Sequence, residues 1–148
     1  MTRALLPAFI FAFLTLAAGA VAAAEFRSVA EPSVFYDAPT LRGKKLYVAP
    51  RGMPVEVVVS IEGWQKVRDR AGDLMWIERK SLADKRSLVV SAPVAQLRDK
   101  PGDDGKVLLE ASTDVLLELV EPPMNGWAKV RHRDGAQGYV RVGQVWGL

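Results

Sequence analysis

Two short stretches hold the residue types best suited to grip a ligand. Trp64, Lys66, Arg68 and Arg70 alternate along the chain, and Trp127, Lys129, Arg131 and Arg133 repeat them 63 residues later. Alternate side chains of an extended strand share a face, so each stretch sets a tryptophan beside three cations. An aromatic face attracts cations and flat groups, while ammonium and guanidinium groups grip carboxylates. Val67 and Val130 have the opposite parity and belong inside. The competing reading is a solvated face in which lysine and arginine stems cover the ring. The repetition does not decide between them, because duplication copies a neutral face as faithfully as a binding one.

Other chemistry is sparse. The chain has no cysteine, so it has no thiolate nucleophile, no disulfide and no lipidated cysteine at a leader cut site. Its single histidine, His132, lies near a hairpin tip between Arg131 and Arg133. One imidazole cannot make a multi-histidine zinc site, and no motif marks a serine that would complete a triad. Asp99, Asp103 and Asp104 match no calcium-loop spacing, and there is no phosphate-loop glycine pattern. Catalytic residues, metal and cofactor are therefore all expected to be absent. A small hydrolase built on His132 remains only as a third alternative.

Positioning these faces falls to a tandem repeat. GWQKVR at 63–68 returns as GWAKVR at 126–131, and Arg70, Gly72, Trp76 and Ile77 fall on Arg133, Gly135, Tyr139 and Val140. Upstream the offset is 62: Val55 to Val58 fall on Leu117 to Val120, and Pro39 falls on Pro101. A one-residue insertion near Pro122-Pro123 reconciles the two. Period-two alternation predicts a half-buried strand with Val55, Val57, Val59 and Ile61 on one face. Trp64 to Arg70 returns antiparallel, and Leu74 to Glu78 follows across Ala71-Gly72-Asp73. Lys80-Ser81-Leu82 reads as a single 3₁₀ turn. In the second unit the strands are Val94–Arg98, Val107–Leu109 and Val115–Val120, then a turn over Glu121–Gly126, then a hairpin of Trp127–Arg133 with Gln137–Val142.

Short strands split by glycine-containing turns predict an all-β chain of two small barrels, 25–82 and 87–148, joined by a linker at 83–86. Units of about 60 residues are marginal alone, so the pair is expected to pack together in a monomer.

Ahead of them, Leu5 to Val21 is almost wholly apolar behind Arg3, and Ala22-Ala23-Ala24 supplies small residues for cleavage after Ala24. Residues 1–24 therefore read as a signal peptide, with an uncleaved anchor as the rival. At 17 residues, interrupted by Pro7 and Gly19, the stretch is at the lower limit for spanning a bilayer. The mature chain is expected to have no membrane span and to reside in the periplasm or extracellular envelope. Its 19 basic against 17 acidic residues leave +2, too balanced for a nucleic-acid partner.

Several motifs point to a family. Arg51-Gly52-Met53-Pro54-Val55-Glu56-Val57, then Gly63-Trp64 with Lys66-Val67-Arg68, then Trp76-Ile77 and Ser81-Leu82, resemble the bacterial SH3-like (SH3b) domain, especially exported proteins carrying tandem copies. Leu97-Arg98-Asp99-Lys100-Pro101-Gly102 is similar to that family's opening Arg-x-x-Pro-Gly turn, and Gly138-Tyr139-Val140 to its closing Gly-Trp-Val. The two matches cover nearly all of 27–148. This chain departs from the pattern at Tyr36-Asp37-Ala38-Pro39, at Met75 in place of glycine, and at Tyr139 in place of tryptophan. The resemblance implies a five-stranded, partly open barrel, export to the envelope, and recognition near the loops of wall peptides or proteins rather than catalysis.

The ligand-binding candidates are Tyr36, Asp37, Trp64, Lys66, Arg68 and Trp76 in the first unit, with Arg98, Trp127, Arg131 and Tyr139 in the second. Small SH3-type barrels take extended ligands in aromatic-lined grooves, and Tyr36 beside Asp37 is the best groove candidate. Trp76 and Tyr139 are also read as fillers of the core or the open end, and Trp146 as a pin for the tail. The expected function is non-catalytic binding of cell-wall peptide or an envelope protein. The alternative is a structural or inhibitory partner in the envelope.

Overall fold

A computed structural model describes residues 23–148. The expected leader therefore lies almost wholly outside the described residues. Among those residues, no helix is long and apolar enough to cross a membrane.

The first sheet contains β1 (Glu25–Val29), β2 (Ser33–Tyr36), β3 (Lys45–Ala49), β4 (Pro54–Ile61), β5 (Trp64–Arg68), β6 (Leu74–Glu78) and β7 (Leu82–Ala83). The second contains β8 (Ser87–Val90), β9 (Val94–Arg98), β10 (Val107–Ser112), β11 (Leu116–Met124), β12 (Trp127–Arg131), β13 (Gln137–Arg141) and β14 (Val145–Trp146). Strand orders are β3-β2-β6-β5-β4-β1-β7 and β10-β9-β13-β12-β11-β8-β14, so the second sheet repeats the first strand for strand. All pairings are antiparallel, and each sheet curls into an open barrel. A 3₁₀ turn over Arg79–Ser81 precedes β7, and its counterpart Val142–Gln144 precedes β14.

Each sheet has seven strands where the resemblance implied five. The additional members are β1 and β8, which lie along the free side of β4 and β11, and the two-residue β7 and β14 beyond them. β1 is an interior strand of the sheet, because β7 pairs with its outer side.

The cores follow the strand periodicity. Val29, Phe35, Val55, Val67 and Ile77 are buried in the first barrel, and Leu88, Leu97, Leu117, Val130 and Val140 in the second. Burying each such side chain contributes about 1.5–3 kcal/mol. The parity assigned to Val67 and Val130 holds.

The alternation expected for β4 fails halfway. Val57 faces Val67, but Val59 faces Lys66, so Val58 is an extra residue, a β-bulge. Beyond it the faces exchange, and Val59 and Ile61 are 42% and 41% exposed. Ile61 stands opposite Trp64, on the tryptophan's side of the sheet. In β11 the ladder steps from Leu119–Val130 to Glu121–Lys129, which puts a bulge at the equivalent Val120. A further slip between Glu121 and Met124 absorbs the inserted residue at Pro122-Pro123. Those prolines were expected in a turn, yet β11 runs through them. A ladder irregularity is where a residue without an N–H can be tolerated in a strand.

Met75 lies in the first core, whereas its counterpart Gly138 admits backbone: a Cβ there would stand 2.7 Å from the Arg98 carbonyl oxygen. Tyr47, on the edge strand β3, meets Phe35 edge-on at 5.1 Å, and its hydroxyl reaches Asp69 Oδ2 at 3.4 Å. Burial, together with the Asp69 and Asp73 charges, pushes the Tyr47 phenol up to about 12. An unfolded tyrosine ionises near pH ~10, so above that pH the unfolded chain releases the proton first. The stabilisation is complete below pH ~10 and is lost as pH rises towards 12. Urea midpoints at pH ~9 and ~11 should fall further for the parent protein than for Tyr47→Phe. Equal falls would refute the assignment.

Candidate functional site

The candidates of the first barrel converge on the outer face of β2, β6 and β5. In register, Tyr36 stands opposite Trp76, Trp76 opposite Lys66, and Trp64 opposite Glu78. Tyr36 and Trp64 meet edge to face at 5.5 Å. Tyr36 is thereby only 7% exposed although it points away from the core. Lys66 Nζ lies 5.9 Å from the centre of the Trp76 ring. Trp76 is half-buried on this outer face rather than inside the barrel. An aromatic shelf results, with one ammonium at its side.

The remaining first-barrel candidates have partners. Arg68 Nη1 bonds Glu56 Oε2 at 3.0 Å. Asp37 Oδ1 accepts the Lys44 N–H at 2.8 Å, and the Asp37 N–H donates to the Lys44 carbonyl at 3.1 Å. Asp37 thus clasps the loop behind Tyr36. Asp99 closes the corresponding loop the same way, accepting the Lys106 N–H at 2.9 Å.

In the second barrel the same face is filled by its own side chains. Arg98, at the Tyr36 position, donates Nη1 to the carbonyls of Asp103 and Gly105 at 2.9 and 2.7 Å, and Nη2 to Gln96 at 2.7 Å. The guanidinium that opens the family-like turn therefore holds that turn together. Arg141 stacks over Trp127 at 4.8 Å and pairs with Asp103. Lys129 is bound to Glu121 at 2.6 Å, which raises the lysine above its ordinary range. Tyr139 stands opposite Arg98 and Lys129 on this face, outside the core. Arg131 lies at the far end, 3.7 Å from Glu118.

The barrels therefore differ where their sequences do. Opposite the tryptophan stands Arg141 in one and Glu78 in the other. Lys129 is neutralised, whereas among the described residues Lys66 has no carboxylate within ion-pair distance. The offset of 63 aligns Glu78 with Arg141, so this contrast was open to sequence reading, but it draws attention only once the pair is known to face the tryptophan.

Residues outside the candidate set join the barrels. Phe26 of β1 meets Trp146 of β14 edge-on at 5.0 Å, and the Arg86 guanidinium lies 5.5 Å over Phe26. Arg86 Nη2 donates to the Gly147 carbonyl at 2.6 Å, and burial lowers its pKa. The Ser87 hydroxyl donates to the Gly52 carbonyl, and Arg70 pairs with Asp114. Trp146 thus pins the tail to its own sheet through Val89 and also bears on the first barrel. His132 is half-buried, with Nδ1 2.9 Å from Asp134 Oδ1. Among the described residues, no cluster of three or more His, Asp or Glu side chains could hold a metal ion.

A family model described as bacterial SH3 domain matches the chain twice, over residues 29–84 and 91–147. No curated protein matches. Among solved structures, similarity is found to NlpC2 from Trichomonas vaginalis, 14% identical with a TM-score of 0.38, covering 84% of this chain and 48% of that one. NlpC1 from the same organism is 14% identical with a TM-score of 0.37, covering 92% and 50%. The chain spans about half the length of these structures.

Proposed function

Because the chain belongs to the bacterial SH3 domain family, we propose that it is a non-catalytic binding protein of the cell envelope whose first barrel holds an extended peptide. Domains of this family bind peptide or cell-wall partners. The observation that carries the proposal is the shelf of half-exposed Trp64 and Trp76, propped by the buried Tyr36, beside Lys66 with no carboxylate partner among the described residues, set against a duplicate shelf where Arg141 covers Trp127 and Glu121 binds the lysine. Flat peptide groups lie on the rings, Ile61 extends the apolar surface, and Lys66 receives a carboxylate. Glu78, opposite Trp64, is paired with Lys80 at 3.0 Å, so Lys66 is the charge left to a ligand on this face. A peptide of the cell wall and an acidic segment of an envelope protein share this chemistry.

Sedimentation with purified peptidoglycan tests the proposal, with a Tyr36→Ala, Trp64→Ala double variant for comparison. The parent protein is expected to pellet with the sacculus and the variant to stay in solution. Failure to pellet, combined with specific crosslinking to one protein in cells, would move the ligand to that protein. Failure of both would end the proposal.

A further inference from the structure

A cavity lies away from the aromatic shelf, where the barrels meet. It encloses about 500 Å³ and is walled by both repeats. Its apolar lining comes from Ala30, Gly52 and Ala83 of one barrel and Leu116 of the other, over the buried Val29 and Leu117. Its charged lining is uneven: Arg51, Lys85, Arg131 and Arg133 face only Glu31 and Glu118. Four cations against two carboxylates leave two positive charges in excess.

The pairing shows where that excess sits. Arg51 is bound to Glu31, which lowers the Glu31 pKa through their hydrogen bond, so this pair is neutral overall. Lys85 and Arg131 share one carboxylate, Glu118, at 3.1 and 3.7 Å. Arg131 is held further by the Gln137 amide, whose oxygen, turned towards it, accepts Nη2 and Nε at 3.0 and 3.1 Å. Among the described residues Arg133 has no carboxylate within ion-pair distance, and His132 beside it is engaged by Asp134. The excess therefore gathers at the hairpin between β12 and β13, at one end of an apolar trough.

We infer that this junction is a second ligand site, selective for a carboxylate carried on a compact apolar body. The acid group binds Arg133, with Arg131 adding positive charge beside it, and the body lies on Ala30, Ala83 and Leu116. A single guanidinium grips a carboxylate through two parallel charge-assisted hydrogen bonds, and the volume lies within the range of small-molecule sites. Because both barrels supply walls, occupancy also strengthens their association. The site is independent of the shelf proposed above and survives if that proposal fails.

The test titrates the full mature chain with N-acetyl-leucine and, separately, with N-acetyl-leucinamide, following backbone amide shifts. The acid is expected to shift Gly52, Ser87, Arg133 and Gly135 and to raise the melting temperature, with the amide at least about tenfold weaker. Arg133→Ala should weaken the acid about tenfold, while Trp64→Ala leaves it unchanged. Inorganic phosphate separates carboxylate recognition from general anion binding, and phosphate displacing the acid at equal concentration would overturn the stated selectivity. Equal binding of acid and amide, shifts confined to the Trp64 face, or full affinity in Arg133→Ala would overturn the site.

Discussion

Trp64→Ala lowers affinity for the sacculus, or for the envelope partner, about thirtyfold, whereas Trp127→Ala changes it less than about twofold. Tryptophans at the centre of binding surfaces are typical anchors, and their truncation commonly removes 2 kcal/mol or more, ~30-fold in affinity. Trp64 has that position, propped edge-on by Tyr36 and bordered by an exposed Ile61. Trp127 is equivalent in sequence but lies beneath Arg141, itself held by Asp103. A ligand would have to displace that guanidinium first. Arg141→Ala should uncover Trp127 and raise binding by the second barrel, measured with Trp64→Ala as background. Equal losses in the two tryptophan variants would show that the Arg141 cover does not matter.

Phe26→Ala converts a single cooperative unfolding transition into two, at a cost of ~2 kcal/mol. Truncating a fully buried aromatic costs about 3–5 kcal/mol, and Phe26 is only half-buried, so the lower figure applies. Its loss removes the edge-on contact with Trp146 and the ring beneath Arg86 together. Each barrel is near the size at which a domain is marginal by itself, so weakening the junction lets the less stable one melt first. Calorimetry of the parent and variant reads this directly. A variant that still melts in one step, within ~0.5 kcal/mol of the parent, would assign the coupling to Ser87–Gly52 and Arg70–Asp114 instead.

Parity within β5 and β12 was legible because a strand surrounded by regular ladders must alternate, and Val67 and Val130 are buried as their positions require. The meander of β4, β5 and β6 and its copy in the second unit were legible from the repeat, since each GW-x-KVR stretch begins just after a tight turn. The bulge at Val58 was not legible: valine fits either face, and the discontinuity exists only relative to the partner strand. The strand through Pro122-Pro123 was hidden for the same reason, because proline is excluded from a regular ladder but not from an irregular one. Of the candidate site, Tyr36, Trp64, Lys66 and Trp76 do share one face. Asp37 and Arg98 bond the backbone of neighbouring loops, roles visible only once the loops have a shape. Phe26 and Trp146 are 120 residues apart, and no local pattern links them.

That contact gives the chain a nearly circular course. The first and last strands of the described fold end side by side, so the path leaves the junction, winds through one barrel, crosses at 84–86, winds through the other and returns. Tension applied at these two ends would load the Phe26–Trp146 contact and the short strand β14 first, opening them one bond at a time. The long ladders between β4 and β5 and between β11 and β12 lie away from that line of force. If the protein is tethered in the envelope, the joint between barrels would give under strain while each barrel kept its shape.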